Sequence, residues 1–200
     1  MPTFLAEVSG RISWRALLED EFESNGTSVP EPVGDDPREV FAFFGLASYH
    51  AQVLEQELML FASMLQLSGR TQITRDYVDE LFRHLESRTF GHLLKEARRL
   101  TPIPADLDRL LAEALRLRND LAHTFFARHS EAFISRSGRE EMIQSLRAAS
   151  DACIEADAQV TALRRPLSEK LGLTEALVRQ ELDRMTARAA VRDRIRDESG

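Results

Sequence analysis

Cysteine is almost absent. Cys153 stands alone among 200 residues, which excludes an internal disulfide and any thiolate-only metal cluster. Lysine is nearly as scarce: Lys95 and Lys170 are the only lysines among 26 cationic side chains, so 26 − 2 = 24 are arginine. Arginine suits bidentate phosphate recognition, and a GC-rich coding sequence produces the same bias. Nine glycines are scattered so that no two build a dinucleotide loop or a P-loop. The five histidines form neither an HExxH pair nor a zinc-finger spacing. There is no Gly-x-Ser-x-Gly elbow, and Cys153 lies among small helix formers with no base nearby in sequence. No cofactor, no bound metal and no serine or cysteine nucleophile is therefore expected. No run approaches the roughly 20 apolar residues of a membrane helix. The stretch from Met1 to Ile12 carries Glu7 and no basic region, unlike a secretory signal. A cytoplasmic location without membrane partners is the default that follows.

What is present is an ordinary globular composition, 43% hydrophobic and 30% charged, in a chain long enough for one large domain or a domain with an appendage. A net charge of -7 argues against coating nucleic acid nonspecifically, because that requires a positive field to displace counterions. A small local nucleic-acid site stays open.

Punctuation along the chain sets its organisation. Asn25-Gly26, Pro30, Pro32, Gly34 and Asp35-Asp36-Pro37 mark residues 24–36 as a linker. Before it, residues 1–23 hold Phe4, Leu5, Val8, Ile12, Trp14, Leu17, Leu18 and Phe22, too apolar for a free tail and too short to bury themselves. They read as a docking segment, and residues 37–200 as the bundle domain. Asp36, Pro37 and Glu39 supply a cap acceptor, a first-turn ring and an acid at the positive end of the dipole. They predict a long central helix to about Leu67. Helical spacing then predicts a stretch opening near Thr74, broken at Thr89 to Gly91 and closed by Pro102 and Pro104. A helix from Pro104 carries a leucine stripe to Phe125-Phe126, another follows Gly138, and a charged one follows Pro166 and Gly172. Strand alternation is lacking, so the expected fold is an all-α bundle of about five helices.

One constellation carries chemistry. Late in the leucine-striped helix, Arg118 and His123 bracket four residues, with the polar Asn119 directly after the arginine. Histidine titrates near neutrality and can move a proton, and a fixed guanidinium can stabilise charge on phosphorus, which are the two requirements for cutting RNA without a metal. Five residues along a helix separate Arg118 from His123 by about 140°, whereas Asn119 and His123 share a face. A single helix therefore makes a poor site.

The segment resembles the active-site helix of the HEPN superfamily (higher eukaryotes and prokaryotes nucleotide-binding), whose signature is arginine, four to six residues, then histidine. The likeness in helical layout covers roughly residues 37–165, and the motif itself six residues. It implies a HEPN-like bundle and a homodimer whose paired helices form one cleft that cuts RNA without metal, in a toxin-antitoxin or defence setting with a binding antitoxin as a further partner. Arg118 would stabilise the phosphorane-like transition state, His123 would act as acid or base, and Asn119 would orient the phosphate or the imidazole. Family toxins often carry a modifiable tyrosine two residues after the histidine, and here Phe125 occupies that place. Two other readings stay open, a non-catalytic module of the same fold that binds nucleotide, RNA or protein, and a purely structural dimer. In these Arg118 pairs with an acid such as Glu113 or Asp120, and His123 settles at a helix end. His50 reads as a satisfied core residue, His84, His92 and His129 as solvated or capping residues, and Arg98-Arg99 and Arg164-Arg165 as solvated cations within reach of phosphate.

Overall fold

The computed structural model describes residues 29–32 and 36–198. The expected docking segment 1–23 lies outside them. Among the described residues the chain is all-α, with seven α-helices and no strand. They are α1 (Pro37–Ser68), α2 (Arg75–Glu86), α3 (Phe90–Leu100), α4 (Ala105–His123), the single turn α5 (Phe125–Arg128), α6 (Arg136–Lys170) and α7 (Glu175–Glu198). A 3-10 turn over Ala132–Ile134 precedes α6. The count exceeds five because the stretch from Thr74 to Leu100 is two helices broken at 87–89, and because α4 stops at Thr124 before one further turn. These residues form two compact units, one up to Arg165 and one from Pro166 onward.

In the first unit α1 is the central element, touching α2, α3 and α4. It starts as its sequence dictates: Asp36 accepts from the Arg38 amide at 2.8 Å, and Pro37 fills the first helical position. Thr74 caps α2 through its hydroxyl in the same way, accepting from the Tyr77 amide at 3.3 Å. From Glu57 to Met64 every residue of α1 is buried, so this half of the helix is enclosed on all sides. The start of α1 packs Val40, Phe43 and Ala47 against Leu121, Phe125 and, on α6, Met142, Ile143, Leu146 and Ala149. Val29 joins this cluster and Glu31 pairs with Arg147 at 2.6 Å, so part of the expected linker is packed structure.

A carboxylate enclosed within α1 requires a partner, and α6 provides it. Glu57, 0% exposed, accepts from Arg164 Nε at 2.6 Å, with the arginine side chain 10% exposed. Arg164 is thus a core residue and not a solvated cation. His50 is buried in α1 as expected, yet its Nδ1 has no hydrogen-bond partner among the described residues. Burial lowers the affinity of its ring for a proton, and the Asp151 carboxylate opposes that in part. Cys153 is buried on α6, and burial, helped by the charge of Asp157, pushes its thiol up to about 12. A thiol held there stays protonated at neutral pH.

In the second unit Pro166 lies inside α6 and does not end it, contrary to the expectation from sequence. The helix gives up one amide donor there and continues to Lys170. The stop is Gly172, in the left-handed region at φ 81. Its amide donates to the Glu169 carbonyl at 2.9 Å and the Leu173 amide to the Ser168 carbonyl at 2.9 Å, the paired bonds of a Schellman motif, with Leu173 buried behind them.

Two substitutions test this architecture. A Cβ at Gly138 would meet the Ala132 carbonyl oxygen at 2.1 Å, so Gly138→Ala should destabilise by roughly 1–3 kcal/mol although alanine favours helix, as read by denaturant unfolding. Arg164→Met should cost about 3–5 kcal/mol by removing a buried cationic partner of the Glu57 carboxylate, and adding Glu57→Leu should recover most of that loss.

Candidate active site

The motif occupies the last two turns of α4. The helix opens at Pro104 and carries Asp106 and Asp108 in its first turn, where acids suit the dipole, and buries Leu107, Leu111, Ala114 and Leu121 toward the core. That stripe fixes the directions of the remaining side chains. Arg118 falls within that stripe, between Ala114 and Leu121, and is half-buried, while Asn119 and His123 are exposed one turn apart. The divergence of about 140° between Arg118 and His123 therefore places the guanidinium toward α1 and the imidazole outward. The structure brings Asn119 and His123 to one face, and it does not bring Arg118 to them within one chain.

Arg118 has an acidic partner that neither neighbour in sequence supplies. Its Nη2 lies 3.3 Å from Glu55 Oε2 on α1, with the arginine side chain 29% and the glutamate side chain 16% exposed. Glu113 is taken by Arg116 and Asp120 by Arg128. The pairing of Arg118 with Glu113 or Asp120 is thereby corrected. Glu55 is not among the residues that the sequence motif singles out. Its signal was there, an acid within the Ala51, Leu54, Leu58 stripe of a helix expected to be central, but nothing local names its partner 63 residues away.

The helix end is held by Asp120. One carboxylate oxygen accepts both from the Thr124 hydroxyl and from Arg128 Nη1, the latter at 2.8 Å. The Thr124 amide also closes the helix on the Asp120 carbonyl at 2.9 Å. Partial burial pushes the Asp120 carboxyl up, but the hydrogen bonds from Thr124 and Arg128, with the charges of Arg128 and His129, outweigh it and leave the group below its usual range. This clamp fixes the turn on which His123 sits. Next along the chain, Phe125 is buried against Phe44 at 5.7 Å, and His129 lies over the Phe125 ring at 4.7 Å rather than in open solvent.

The remaining sequence candidates resolve into local pairs. Arg98 meets Asp108 at 2.6 Å and Arg99 meets Glu96 at 2.6 Å. His92 shares a hydrogen bond with the Thr89 hydroxyl at 2.9 Å, and exposed His84 meets Arg88 at 3.1 Å. Among the described residues no group of three or more histidine, cysteine or acidic side chains is placed to hold a metal ion. No described helix is long and apolar enough to cross a membrane.

Because the folded Asp120 carboxyl titrates below its unfolded value, its contribution is present at neutral pH and is lost as pH falls through the folded pKa. Asp120→Asn should lower stability at pH 7 by about 1 kcal/mol, and the gap to the parent should close only below about pH 4. Urea unfolding at several pH values measures both.

The chain matches no family model, no curated protein and no solved structure, so the reading of this site rests on its own residues.

Proposed function

We propose that this protein is a metal-independent endoribonuclease of HEPN type that works as a homodimer, in a toxin or defence role. The observation that carries the reading is the exposed pair of Asn119 and His123, one turn apart at the C-terminal end of α4, with the half-buried Arg118 one residue before them. In the cleavage step an imidazole takes the proton of the 2′-hydroxyl, the 2′ oxygen bonds to phosphorus, and the bond to the 5′ oxygen breaks as that oxygen receives a proton. The products are a 2′,3′-cyclic phosphate and a 5′-hydroxyl. Arg118 stabilises the charge gathered on the phosphoryl oxygens, and Asn119 orients the phosphate or the ring.

Convergence of Arg118 and His123 requires two chains, and a two-fold pair of α4 helices supplies it. An apolar patch supports self-association. Phe41, Phe126 and the 82% exposed Ile134 remain open to solvent just beyond the end of α4, with Phe126 packed on Phe41 and Phe44. With a buried phenylalanine at 125, an antitoxin acts on this chain by binding and not by modifying that position. The engagement of Arg118 by Glu55 favours a second reading, a HEPN-like module that binds nucleotide, RNA or a protein without cutting.

Cleavage of a mixed RNA substrate in EDTA separates the two. Cutting should survive chelation and fall by about a hundredfold or more in folded Arg118→Ala and His123→Ala, with a smaller loss in Asn119→Ala. No cutting of tRNA, mRNA or structured RNA by the folded parent chain replaces the nuclease with the binding module.

A further inference from the structure

On the nuclease reading of α4, we propose that Glu55 is the positioning residue for Arg118, holding its guanidinium in place while competing with the substrate phosphate for its charge. The inference starts from geometry. Glu55 and Arg118 are contributed by different helices, α1 and α4, and meet at 3.3 Å through a single nitrogen and a single oxygen. A full charge-assisted pair closes to about 2.7–2.9 Å and is often bidentate. The contact is thus long and monodentate, so it restrains the arginine without using up its five donors.

The other arginine-acid pairs around α4 are tighter: Arg98 meets Asp108 at 2.6 Å and Arg128 meets Asp120 at 2.8 Å. Arg118 is the motif cation left with donors to spare and with its side chain 29% exposed. An arginine on a long flexible stem loses rotamer freedom when it binds phosphate, and a carboxylate that already fixes the stem removes part of that cost. The same carboxylate cancels charge that an incoming phosphate would use. Glu55 therefore acts in opposite senses on two observables: it raises the rate once substrate is bound and weakens the binding of substrate.

Glutamine and aspartate separate the two effects. Glu55→Gln keeps an oxygen that accepts from Arg118 and removes the competing charge, whereas Glu55→Asp keeps the charge and is one methylene short of the contact. The parent chain and both variants are compared on a labelled single-stranded oligoribonucleotide in EDTA, by steady-state cleavage and by fluorescence anisotropy, with folding confirmed by circular dichroism. Glu55→Gln should lower KM and Kd by about threefold, the scale of a partly exposed ion pair. Glu55→Asp should lower kcat by about tenfold through loss of orientation, without the gain in Kd. Unchanged KM and Kd in Glu55→Gln beside an active parent overturn the competition and leave the nuclease reading standing. An unchanged kcat in Glu55→Asp overturns the positioning role. A parent that binds RNA without cutting removes the nuclease reading, and the Kd comparison still decides whether Glu55 competes at Arg118. A parent that neither cuts nor binds RNA overturns both. If Glu55→Gln does not fold, the kcat of Glu55→Asp alone decides the positioning role.

Discussion

The carboxylate of Glu57 is the constraint on which the rest of the first unit depends. It lies within eight consecutive buried residues of α1, and an ionised group in that position is tolerated only with a partner at hydrogen-bond distance. Arg164 supplies it at 2.6 Å and thereby fixes the register of α6 along α1. A hydrophobic seam alone would allow sliding by a turn; a buried ion pair does not. Two residues earlier, about 200° around the helix, Glu55 meets Arg118 of α4. The same stretch of α1 therefore sets the position of α6 on one side and of the motif arginine on the other. What holds the bundle in register also decides what the arginine touches.

At the start of α1 the junction between α4 and α6 is fixed by different means. Asp120 gathers Thr124 and Arg128 onto one oxygen, which closes α4 and turns the chain. Phe125 then enters the cluster of Phe43, Leu121 and Met142, while Phe126 is left at the surface. Six residues on, the 3-10 turn at Ala132 comes against Gly138 so closely that no side chain fits, and Arg139 donates to the Phe133 and Ile134 carbonyls at 3.2 Å. The backbone that follows the motif is thus held by a carboxylate, a ring and a glycine in succession. The end of α4 is thereby held by hydrogen bonds and packing from both sides of the turn.

Local signals in the sequence carried most of this fold. Asp36-Pro37, Thr74 and Pro104 each start the helix that their chemistry predicts, and the stretch to Leu67, uninterrupted by proline after Pro37, is one helix enclosed in its second half. The exceptions have physical causes. Pro166 removes one donor and is carried inside α6, so the stop falls at Gly172, where the left-handed conformation ends the helix. Val29 lies among turn formers and reads as linker, yet it has a core cluster to fill. The acids of α1 were legible as acids and not as partners, because their arginines are 63 and 107 residues away. Arginine also blunts any motif built on it: with 24 among 200 residues and five histidines, the spacing from Arg118 to His123 arises by chance about 0.6 times, a frequency that follows from composition alone. Spacing identified the candidate; the exposure of Asn119 and His123 and the half-burial of Arg118 came from the fold.

The directions of the three motif side chains constrain how a pair of chains would share the chemistry. Around α4, Asn119 lies about 100° from Arg118 and about 40° from His123, between the other two. A two-fold axis approaching α4 from the Asn119 side leaves each His123 turned toward the neighbouring helix and each Arg118 at the floor of the groove, still in reach of Glu55 on its own α1. In that arrangement the imidazoles come from the exposed rim and the guanidiniums from the half-buried wall. The division suits the two roles. A proton carrier needs access to water to exchange its proton, whereas a cation that stabilises developing charge gains strength where water is partly excluded. An axis on the Arg118 side would instead have to pass through α1, which the contact at 3.3 Å with Glu55 forbids. On the dimer proposal, the position of α1 leaves the Asn119 face as the direction from which a second copy would complete the site.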